Sequence, residues 1–418
     1  MPDGPRGIDV TGNGSGQDLG NLAPGPTLRI AISAIGRFHM FDLARQMIRL
    51  GQRVDMFTGN PRTHVDPDLR PFTHTHPTLH VLDVLSHRMR LPGASRLRDL
   101  DLRSLGRWLA RSVDPETTDL LDALDGPGPE AGRLMRQHGG VWVCNRGSTH
   151  ILTQKELLEE EYPRWGARPP VFTAEHVDRC LAEYAEANAV VVPSTFARRS
   201  FLEHGHSAEK VLVCPYGVNL SEFHPGEKED SAFRIVFVGQ ISIRKGIGYL
   251  LEAAGPLVAA KHCELWLIGL IDASAEPVLE KHRNSFEYKG ARPRSALWRH
   301  YSQSSVLVLP SIEEGLAMVQ AQALACGVPV IATTNTGAED LFTDGVEGFI
   351  VPIRDVPAIR DRLQWMIANP GLRRSMAEAA LHRVNSIGGW DSYGERCLNV
   401  YWNLLHGHRD AVAAARVR

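Results

Sequence analysis

The segment that decides the fold runs from Val306 to Thr334 and reads VLVLPSIEEGLAMVQAQALACGVPVIATT. Its first four residues form a short apolar run closed by Pro-Ser, which is typical of a buried strand. Residues 317–326 are rich in Ala, Leu, Met and Gln, which favour a helix, and Gly327 ends it before a second apolar strand. This order predicts a βαβ unit, whose turn places free N–H groups at a helix N-terminus, where a phosphate can bind.

The composition of the chain limits the classes of protein to which it can belong. Its 418 residues suffice for two or three domains, and 22% of them are charged, as in ordinary globular proteins. A net charge of −2 argues against a general nucleic-acid-binding protein. The six cysteines form no C-x-x-C pair, which favours a reduced protein over a disulfide scaffold or a zinc site.

The ends and the hydropathy of the chain bear on its location. Residues 1–27 are rich in Gly, Pro, Asp and Asn and lack an apolar run, so we expect a disordered tail and not a signal peptide. No stretch approaches the roughly 20 apolar residues of a membrane span. We therefore expect a cytoplasmic protein.

The amino-terminal half opens with the pattern of a Rossmann-like domain. Residues 28–58 read as strand, helix and strand, with apolar residues at helical spacing between two apolar runs. The loop after the first strand contains Gly36, Arg37 and His39 but no G-x-G-x-x-G pattern, so a dinucleotide is not favoured. This loop could face a ligand in a cleft, or His39 could lie in solvent at the start of the helix.

Residues 60–140 give the weakest pattern. Three histidines at positions 74, 76 and 80 match no usual zinc spacing, so we expect a solvated loop there and not a metal site. Between Arg88 and Arg111, seven arginines are interleaved with leucines, which predicts a basic amphipathic helix. Such a helix could lie on an anionic membrane surface. We favour the alternative, in which the leucines pack on the core and the arginines are solvated.

Polar residues follow a further predicted strand at 141–145. The segment Arg146-Gly147-Ser148-Thr149-His150 lies at its carboxyl end, where open α/β sheets bind ligands. An acidic helix comes next, so His150 could also cap that helix. A charged, Gly-containing segment at 226–230 is the predicted linker to a second domain.

The opening segment resembles the signature of the retaining glycosyltransferases of family 4, which have the GT-B fold. Their pattern is Pro-Ser-x-x-Glu-Gly, with a second Glu eight positions after the first. Pro310, Ser311, Glu314 and Gly315 match this pattern, whereas the second Glu is replaced by Gln322. The run that follows, Ala-Leu-Ala-Cys-Gly-Val-Pro-Val-Ile-Ala, also matches closely.

A second pattern of the same family is V-G-R-x-x-x-x-K-G, whose Arg and Lys hold a diphosphate. Gly239, Lys245 and Gly246 match it, but Gln240 stands at the Arg position. Arg244 adjoins Lys245 and could supply the missing charge, because paired cations neutralise a diphosphate. The resemblance covers roughly residues 28–405.

The resemblance implies an α/β protein of the GT-B fold, with two Rossmann-like domains that face a cleft. The expected domains are an acceptor domain at 28–226 and a nucleotide-sugar donor domain at 231–389. A last helix, 390–405, is expected to cross back onto the first domain.

The resemblance also implies site residues. Glu314 would accept hydrogen bonds from the donor sugar, Lys245 and Arg244 would hold the diphosphate, and His150 would point at the donor sugar. The other donor-binding candidates are Gly239, Gln240, Gly290, Ala291, Arg292, Gly315, Leu316, Ala317, Met318, Val319 and Gln322. The candidates for an acceptor or phosphate loop are Gly36, Arg37, His39 and Arg146.

The implied reaction is transfer of a sugar from a nucleotide-sugar to a hydroxyl acceptor, such as a glycan, a polysaccharide or a lipid-linked sugar, with retention. No metal or other cofactor is expected, since no Asp-x-Asp segment is placed to hold a metal. Nucleic acid is not an expected partner, and peripheral contact with the inner face of the membrane stays open. Two alternatives remain: a nucleotide-sugar epimerase on the same fold, or a non-catalytic nucleotide-sugar-binding protein.

Overall fold

The computed structural model describes residues 26–89 and 91–416, with side chains up to residue 408. The predicted tail at 1–27 lies outside the described residues except for its last two positions. None of the described helices combines the length and the apolar character needed to cross a membrane.

The first half of the described chain alternates strands and helices. In chain order they are β1 (Arg29–Ala34), α1 (Met40–Arg49), β2 (Arg53–Thr58), β3 (Thr73–Thr75), α2 (Pro77–Arg88), α3 (Ala94–Ser112), β4 (Leu120–Leu124), α4 (Gly128–Gln137), β5 (Val141–Asn145), α5 (Ile151–Arg164), α6 (Ala174–Glu186), β6 (Ala189–Val192), α7 (Thr195–Glu203) and β7 (Val211–Val213).

The second half repeats the alternation and ends in three long helices. Its elements are β8 (Arg234–Val238), α8 (Ile247–Ala259), β9 (Glu264–Ile268), α9 (Glu276–Lys281), β10 (Glu287–Gly290), α10 (Leu297–Ser302), β11 (Val306–Leu309), α11 (Met318–Ala325), β12 (Val330–Thr333), α12 (Ala338–Leu341), β13 (Gly348–Val351), α13 (Val356–Ala368), α14 (Pro370–Ile387) and α15 (Trp390–Arg416).

Each half folds around one parallel sheet. The first sheet has the order β3-β2-β1-β4-β5-β6-β7 and the second the order β10-β9-β8-β11-β12-β13. The strands β1, β4, β8 and β11 are apolar and almost completely buried, because helices cover both faces of a parallel sheet. In each sheet the strand order reverses beside the first strand, which is where doubly wound folds place their ligands. The predicted GT-B architecture is confirmed.

The helix α15 returns to the first domain, as predicted. It packs against α1, and the Tyr401 hydroxyl donates to Asp122 on β4 at 2.5 Å. Arg49 on α1 lies 3.3 Å from Glu395. The carboxyl-terminal helix α15 therefore packs against the first domain.

The acidic helix α5 forms another junction between the two halves. Glu161 is buried and accepts hydrogen bonds from the Tyr249 hydroxyl (2.7 Å) and from Arg354 Nε (2.7 Å), both in the second half. The Trp165 ring lies directly against Gly248, where a Cβ would overlap it.

The region between residues 60 and 140 differs most from its prediction. The sequence Leu120–Leu124 forms a central buried strand that was not predicted. The predicted basic helix is interrupted: α2 ends at Arg88 and α3 begins at Ala94, after Pro92 and a left-handed Gly93. His80 was expected in a solvated loop. It is instead buried on α2, with its Nδ1 3.1 Å from Asp101.

Candidate active site

A cleft of about 870 Å³ lies between the two sheets, at the carboxyl ends of their central strands. The loops after β1, β4 and β5 form one wall, and the loops after β8 and β11 form part of the other. Seven of the predicted site residues line it directly. They are Arg37, His39, Arg146, Gln240, Arg244, Leu316 and Met318.

Two loops of the second domain pack on each other at this cleft. Gly246 has a φ of +69°, and a Cβ there would overlap the carbonyl oxygen of Pro310. The N–H of Ile312 also donates to the carbonyl oxygen of Arg244 at 2.9 Å. The two motifs that the sequence analysis identified, 239–246 and 310–315, are therefore one structural unit.

Lys245 and Glu314 meet in this unit. Lys245 Nζ forms a close ion pair with Glu314 Oε1, and the same oxygen accepts a hydrogen bond from Ser311 Oγ at 3.1 Å. The Glu314 side chain is buried and that of Lys245 is nearly so. The ion pair holds a cation and a carboxylate side by side, behind the residues that line the cleft.

Glu313 has a role that the sequence analysis missed. Its carboxylate is fully buried, and it accepts hydrogen bonds from Ser148 Oγ (2.5 Å), Thr149 N (3.1 Å) and Gln154 Nε2 (3.0 Å), all in the first domain. Arg244 Nη2 lies 2.9 Å from Oε2 on the other side. Burial opposes ionisation of this carboxyl, but Arg244 and the hydrogen bonds outweigh it and lower its pKa to about 2. In the sequence, the one sign of this role is that a second acidic residue directly precedes Glu314.

Arg244 is the predicted cation that faces the cleft. Its Nε donates to Glu313 Oε2 at 3.0 Å and its Nη2 lies 3.5 Å from Ser148 Oγ. Burial lowers the pKa of its guanidinium, but Glu313 and Glu314 raise it by more, so the net shift is upward. Gln240 is exposed on the same wall and reaches Asp272 at 3.4 Å.

The start of α11 differs in detail from the prediction. The sequence predicts free N–H groups at the start of this helix, among the candidates 316–319, but the N–H of Ala317 donates to Thr336 O at 3.2 Å. The prediction is wrong for the Ala317 N–H, because the turn before the helix is tied to the segment that follows β12. Met318 and Val319 occupy the first turn of α11, where no earlier helical carbonyl can accept from their N–H groups.

Gly315 lies where the backbones of the two domains approach each other closely. A Cβ on Gly315 would overlap the carbonyl oxygen of Gly147, and the Gly315 carbonyl accepts a hydrogen bond from Ser194 Oγ at 2.5 Å. The glycine in the family pattern is thus required here by backbone packing between domains.

Gln322 lies one face further along α11. It is buried, and its Oε1 accepts a hydrogen bond from the Tyr301 hydroxyl at 3.1 Å. The side-chain oxygen is therefore oriented by α10, which leaves the amide NH₂ as the part of the side chain that can still donate.

The first-domain wall is made of residues with fixed partners. The buried His39 has its Nε2 2.8 Å from Asn145 Oδ1 and its ring 4.4 Å from that of Tyr216, and burial lowers its pKa to about 4. Arg146 is buried and pairs with Asp125 at 2.5 Å. His39 is therefore neutral near pH 7 and does not lie in solvent.

The phosphate-loop candidates of this wall are less enclosed. Arg37 is largely exposed and pairs with Asp66 at 2.9 Å. Gly36 lines a smaller adjoining cavity of about 390 Å³. These positions border the ligand space without forming a closed phosphate loop.

His150 is not where the resemblance placed it. Its Nδ1 accepts a hydrogen bond from the N–H of Leu152 at 3.3 Å, so it caps α5, and its ring stacks on His204 at 4.1 Å among Tyr184 and Phe201. Burial and the neighbouring His204 and His206 lower its pKa to about 3. The placement of His150 at the donor sugar is corrected, because the start of α5 turns its side chain into the first-domain core.

The predicted nucleobase loop lies at the edge of the second sheet. Gly290, at the end of β10, has a φ of +74° and accepts a hydrogen bond from Gly269 N, while Ala291 and Arg292 are exposed. None of the three lines the large cleft. Gly239 has a φ of +141°, and its carbonyl oxygen lies against Gly269. Their contact with the base stays a prediction.

One group of metal-ligand side chains occurs among the described residues. His80, Asp83 and Asp101 lie close enough to share an ion, but they are buried between α2 and α3 and not beside Arg244 and Lys245. This group is therefore separate from the candidate donor site.

Two family models match the chain, one to each domain. The model described as "Glycosyl transferase 4-like domain" matches residues 37–217, and the model described as "Glycosyl transferases group 1" matches residues 232–369. Together these segments hold both sequence motifs and both walls of the cleft.

Curated relatives agree with the models. A D-inositol 3-phosphate glycosyltransferase of Nocardiopsis dassonvillei is 24% identical over 399 residues, which are 87% of this chain and 88% of the relative. That of Kribbella flavida is 28% identical over 221 residues, which are 47% of this chain and about half (52%) of the relative's length.

Solved structures share the fold. Sucrose-phosphate synthase from Thermosynechococcus elongatus superposes with a TM-score of 0.68 at 20% identity, covering 91% of this chain and 100% of that chain. HepE from Anabaena, in complex with UDP-glucose, gives a TM-score of 0.67 at 15% identity, covering 90% and 100%. With its two matching family models, its GT-B fold and its paired motifs at the cleft, the chain belongs to the group 1 glycosyl transferases, an enzyme family of the sugar-transferring class.

Proposed function

We propose that this protein transfers a sugar from a nucleotide-sugar donor to a hydroxyl acceptor with retention of the anomeric configuration. The observation that carries the proposal is the contact of Lys245 with Glu314 beside Arg244, at a cleft between two Rossmann-like domains. A diphosphate and a sugar hydroxyl require this combination of two cations and a carboxylate.

In this proposal the donor diphosphate lies against the second domain. Lys245 and Arg244 neutralise it, together with the N–H groups at the start of α11, where the helix dipole favours negative charge. These groups stabilise the charge that develops on the leaving diphosphate, so that no metal ion is needed for this step.

The proposed chemistry takes place on one face of the sugar. The bond between the anomeric carbon and the phosphate oxygen breaks, and the acceptor oxygen forms its bond to the same face. The acceptor proton passes to the departing phosphate oxygen, so no nucleophilic side chain is required. Glu314 accepts hydrogen bonds from the sugar hydroxyls and is held in place by Ser311 and Lys245.

The names of similar proteins guide the choice of donor. HepE was solved with UDP-glucose, and the curated relatives carry the name D-inositol 3-phosphate glycosyltransferase. We propose a nucleoside-diphosphate hexose as donor, with the UDP-sugars as the first to be tested.

A panel of UDP-, GDP-, ADP- and dTDP-sugars tests donor binding by thermal shift. We expect one nucleotide class to raise the thermal midpoint, because a ligand that binds only the folded state stabilises it. Lys245→Ala should weaken binding of the matching nucleoside diphosphate by about 1–3 kcal/mol, as for hydrogen bonds to charged groups. Lys281→Ala, on the exposed side of the same domain, is the control.

Assays with the identified donor then test transfer. Nucleoside-diphosphate release should depend on an acceptor and persist in the presence of a metal chelator, and NMR of the product should show the anomeric configuration of the donor. An epimerised sugar from incubation with donor alone would favour the epimerase. Unchanged diphosphate affinity in Lys245→Ala would contradict the proposed site.

A further inference from the structure

The helix α2 packs with its polar side inward. Its buried residues are His80, Asp83 and Ser86. His80 Nδ1 lies 3.1 Å from Asp101, and Asp83 lies 3.8 Å from Arg98, so the contact with α3 is a network of polar and charged groups. This is the reverse of an ordinary surface helix, which buries its apolar side.

The apolar side of α2 consequently faces outward. Of the sixteen large apolar side chains that are exposed in the described part of the chain, six lie between residues 81 and 91. They are Val81 (38% exposed), Leu82 (49%), Val84 (50%), Leu85 (45%), Met89 (66%) and Leu91 (47%). A contiguous apolar patch of this kind marks an interaction surface.

The exposed charges on the segment that carries this patch have one sign. Arg88 and Arg96 are exposed beside it, whereas the one acid between residues 77 and 98 is the buried Asp83. A second copy of the chain related by a two-fold axis would bring these arginines against each other, which disfavours self-association. An apolar patch rimmed by arginine complements a bilayer surface with anionic headgroups.

The patch adjoins the cleft. His87 on α2 and Ser95 and Arg98 on α3 line the large cleft from the first domain, whereas Lys245 and Glu314 belong to the second domain. The exposed apolar side chains of Phe38 and Val171 line this cleft as well. A bilayer in contact with α2 would therefore lie next to the part of the cleft that is left for the acceptor.

We propose that the apolar patch formed by the outer face of α2 together with Met89 and Leu91 docks this protein on an anionic membrane surface and presents the cleft to an acceptor that is anchored in the membrane. The location of the acceptor rests on the proposed transferase function, but membrane binding does not. This surface differs from the arginine-rich segment 88–111, for which the sequence left membrane contact open, because exposed apolar side chains of α2 form its centre.

Co-sedimentation of the full chain with vesicles tests this proposal. We expect binding to vesicles of phosphatidylcholine mixed with phosphatidylglycerol at low salt, weaker binding at high salt, and little binding to phosphatidylcholine alone. Leu82→Ser/Leu85→Ser should lower the partition coefficient at least about tenfold, because two largely exposed apolar side chains no longer insert. Arg88→Ser/Arg96→Ser should remove the preference for the anionic lipid.

The control is Val346→Ser/Leu372→Ser, which removes two exposed apolar side chains in the second domain. It should bind vesicles like the wild type, and all variants should keep the thermal shift with the donor nucleotide. The proposal is overturned if the wild type binds neither kind of vesicle, or if the control loses binding equally. It is also overturned if light scattering shows a dimer that Leu82→Ser/Leu85→Ser dissociates, since the face would then be a contact between copies.

Discussion

Two segments that follow buried strands meet across the cleft, and the fold uses them differently. Residues 310–319 follow β11 in the second domain, and residues 146–150 follow β5 in the first. From the sequence, a residue in contact with the donor sugar is expected in each segment: Glu314 in the first and His150 in the second. The structure keeps Glu314 beside Lys245 at the cleft and turns His150 into the core of its own domain.

The difference shows what a strand end can and cannot predict. A strand end places a residue near the ligand edge of the sheet, but the next helix decides where its side chain points. Glu314 lies in the turn before its helix, and its N–H donates to the carbonyl oxygen of Asn335, just after β12, at 3.0 Å. His150 is itself the N-cap of its helix, and this turns its ring away from the cleft and into the core of the first domain.

The largest effect is expected for Glu313→Gln, which weakens the bond between the two segments. The variant leaves Arg244 half-buried without its anionic partner, and breaking a buried pair costs about 3–5 kcal/mol. Chemical denaturation should show this loss of stability, and donor KM should rise. The matched control is Glu339→Gln, which alters an exposed ion pair with Arg199. Equal stability of the two variants would contradict the role of Glu313.

Glu313 also makes a prediction about pH. Its folded pKa is lowered to about 2 from an ordinary value of 4.5, so the stabilisation it provides is complete above pH 4.5 and is lost as the pH falls toward 2. The wild type should lose stability over this window more steeply than Glu313→Gln. Parallel acid titrations of the two proteins, followed by circular dichroism, would measure the difference.

The next effect is expected for Glu314→Gln, which tests the segment that faces the ligand. If Glu314 binds the sugar mainly as it distorts, the variant should lower kcat tens-fold or more with a smaller change in donor KM, since about 1.4 kcal/mol is a factor of ten. Steady-state assays of nucleoside-diphosphate release would show this. Wild-type turnover would contradict the assignment of the site.

Gln322 should show a smaller effect of a different kind. If it contacts the ribose equally before and during the reaction, Gln322→Ala raises donor KM about tenfold and leaves kcat nearly unchanged. Gln322→Glu restores the family residue and keeps an acceptor for the Tyr301 hydroxyl, so it should remain active. A fall in kcat alone would place this residue at the reacting bond instead.

The smallest effect is expected for His150, which tests the other segment. His150→Ala should destabilise the protein by about 1 kcal/mol through loss of the helix cap, with kcat unchanged, whereas His150→Asn should keep the cap. Because the folded pKa of His150 is about 3, its stabilisation is complete above its ordinary value of 6.5 and declines as the pH falls below it. With His150→Asn, the free energy of unfolding should depend less on pH over this range. A large loss of kcat in either variant would show that His150 acts in the active site.

The sequence predicted the second domain more fully than the first. Gly246 and Gly315, one in each motif, are required because another backbone leaves no room for a Cβ. Lys245, Arg244 and Glu314 lie together, as the two motifs predicted. Residues 60–140 were predicted poorly because α2 buries polar groups. Its apolar residues therefore face solvent, and their spacing does not identify the side that packs on the core. The Leu120–Leu124 strand was missed because Asp122 interrupts its apolar run and because Leu and Ala favour a helix over a strand.

What the sequence determined by itself is local: two series of apolar strands and helices, the glycine-bearing turns between them, and the residue types placed at their ends. What the tertiary structure decided is which of those ends meet. Ser148 and Glu313 are 165 positions apart in the chain. They form a hydrogen bond because the two sheets face each other with the carboxyl ends of β5 and β11 at the same cleft. Short-range preferences specify a turn or a helix cap, but a partner from another domain is chosen by packing over the whole molecule.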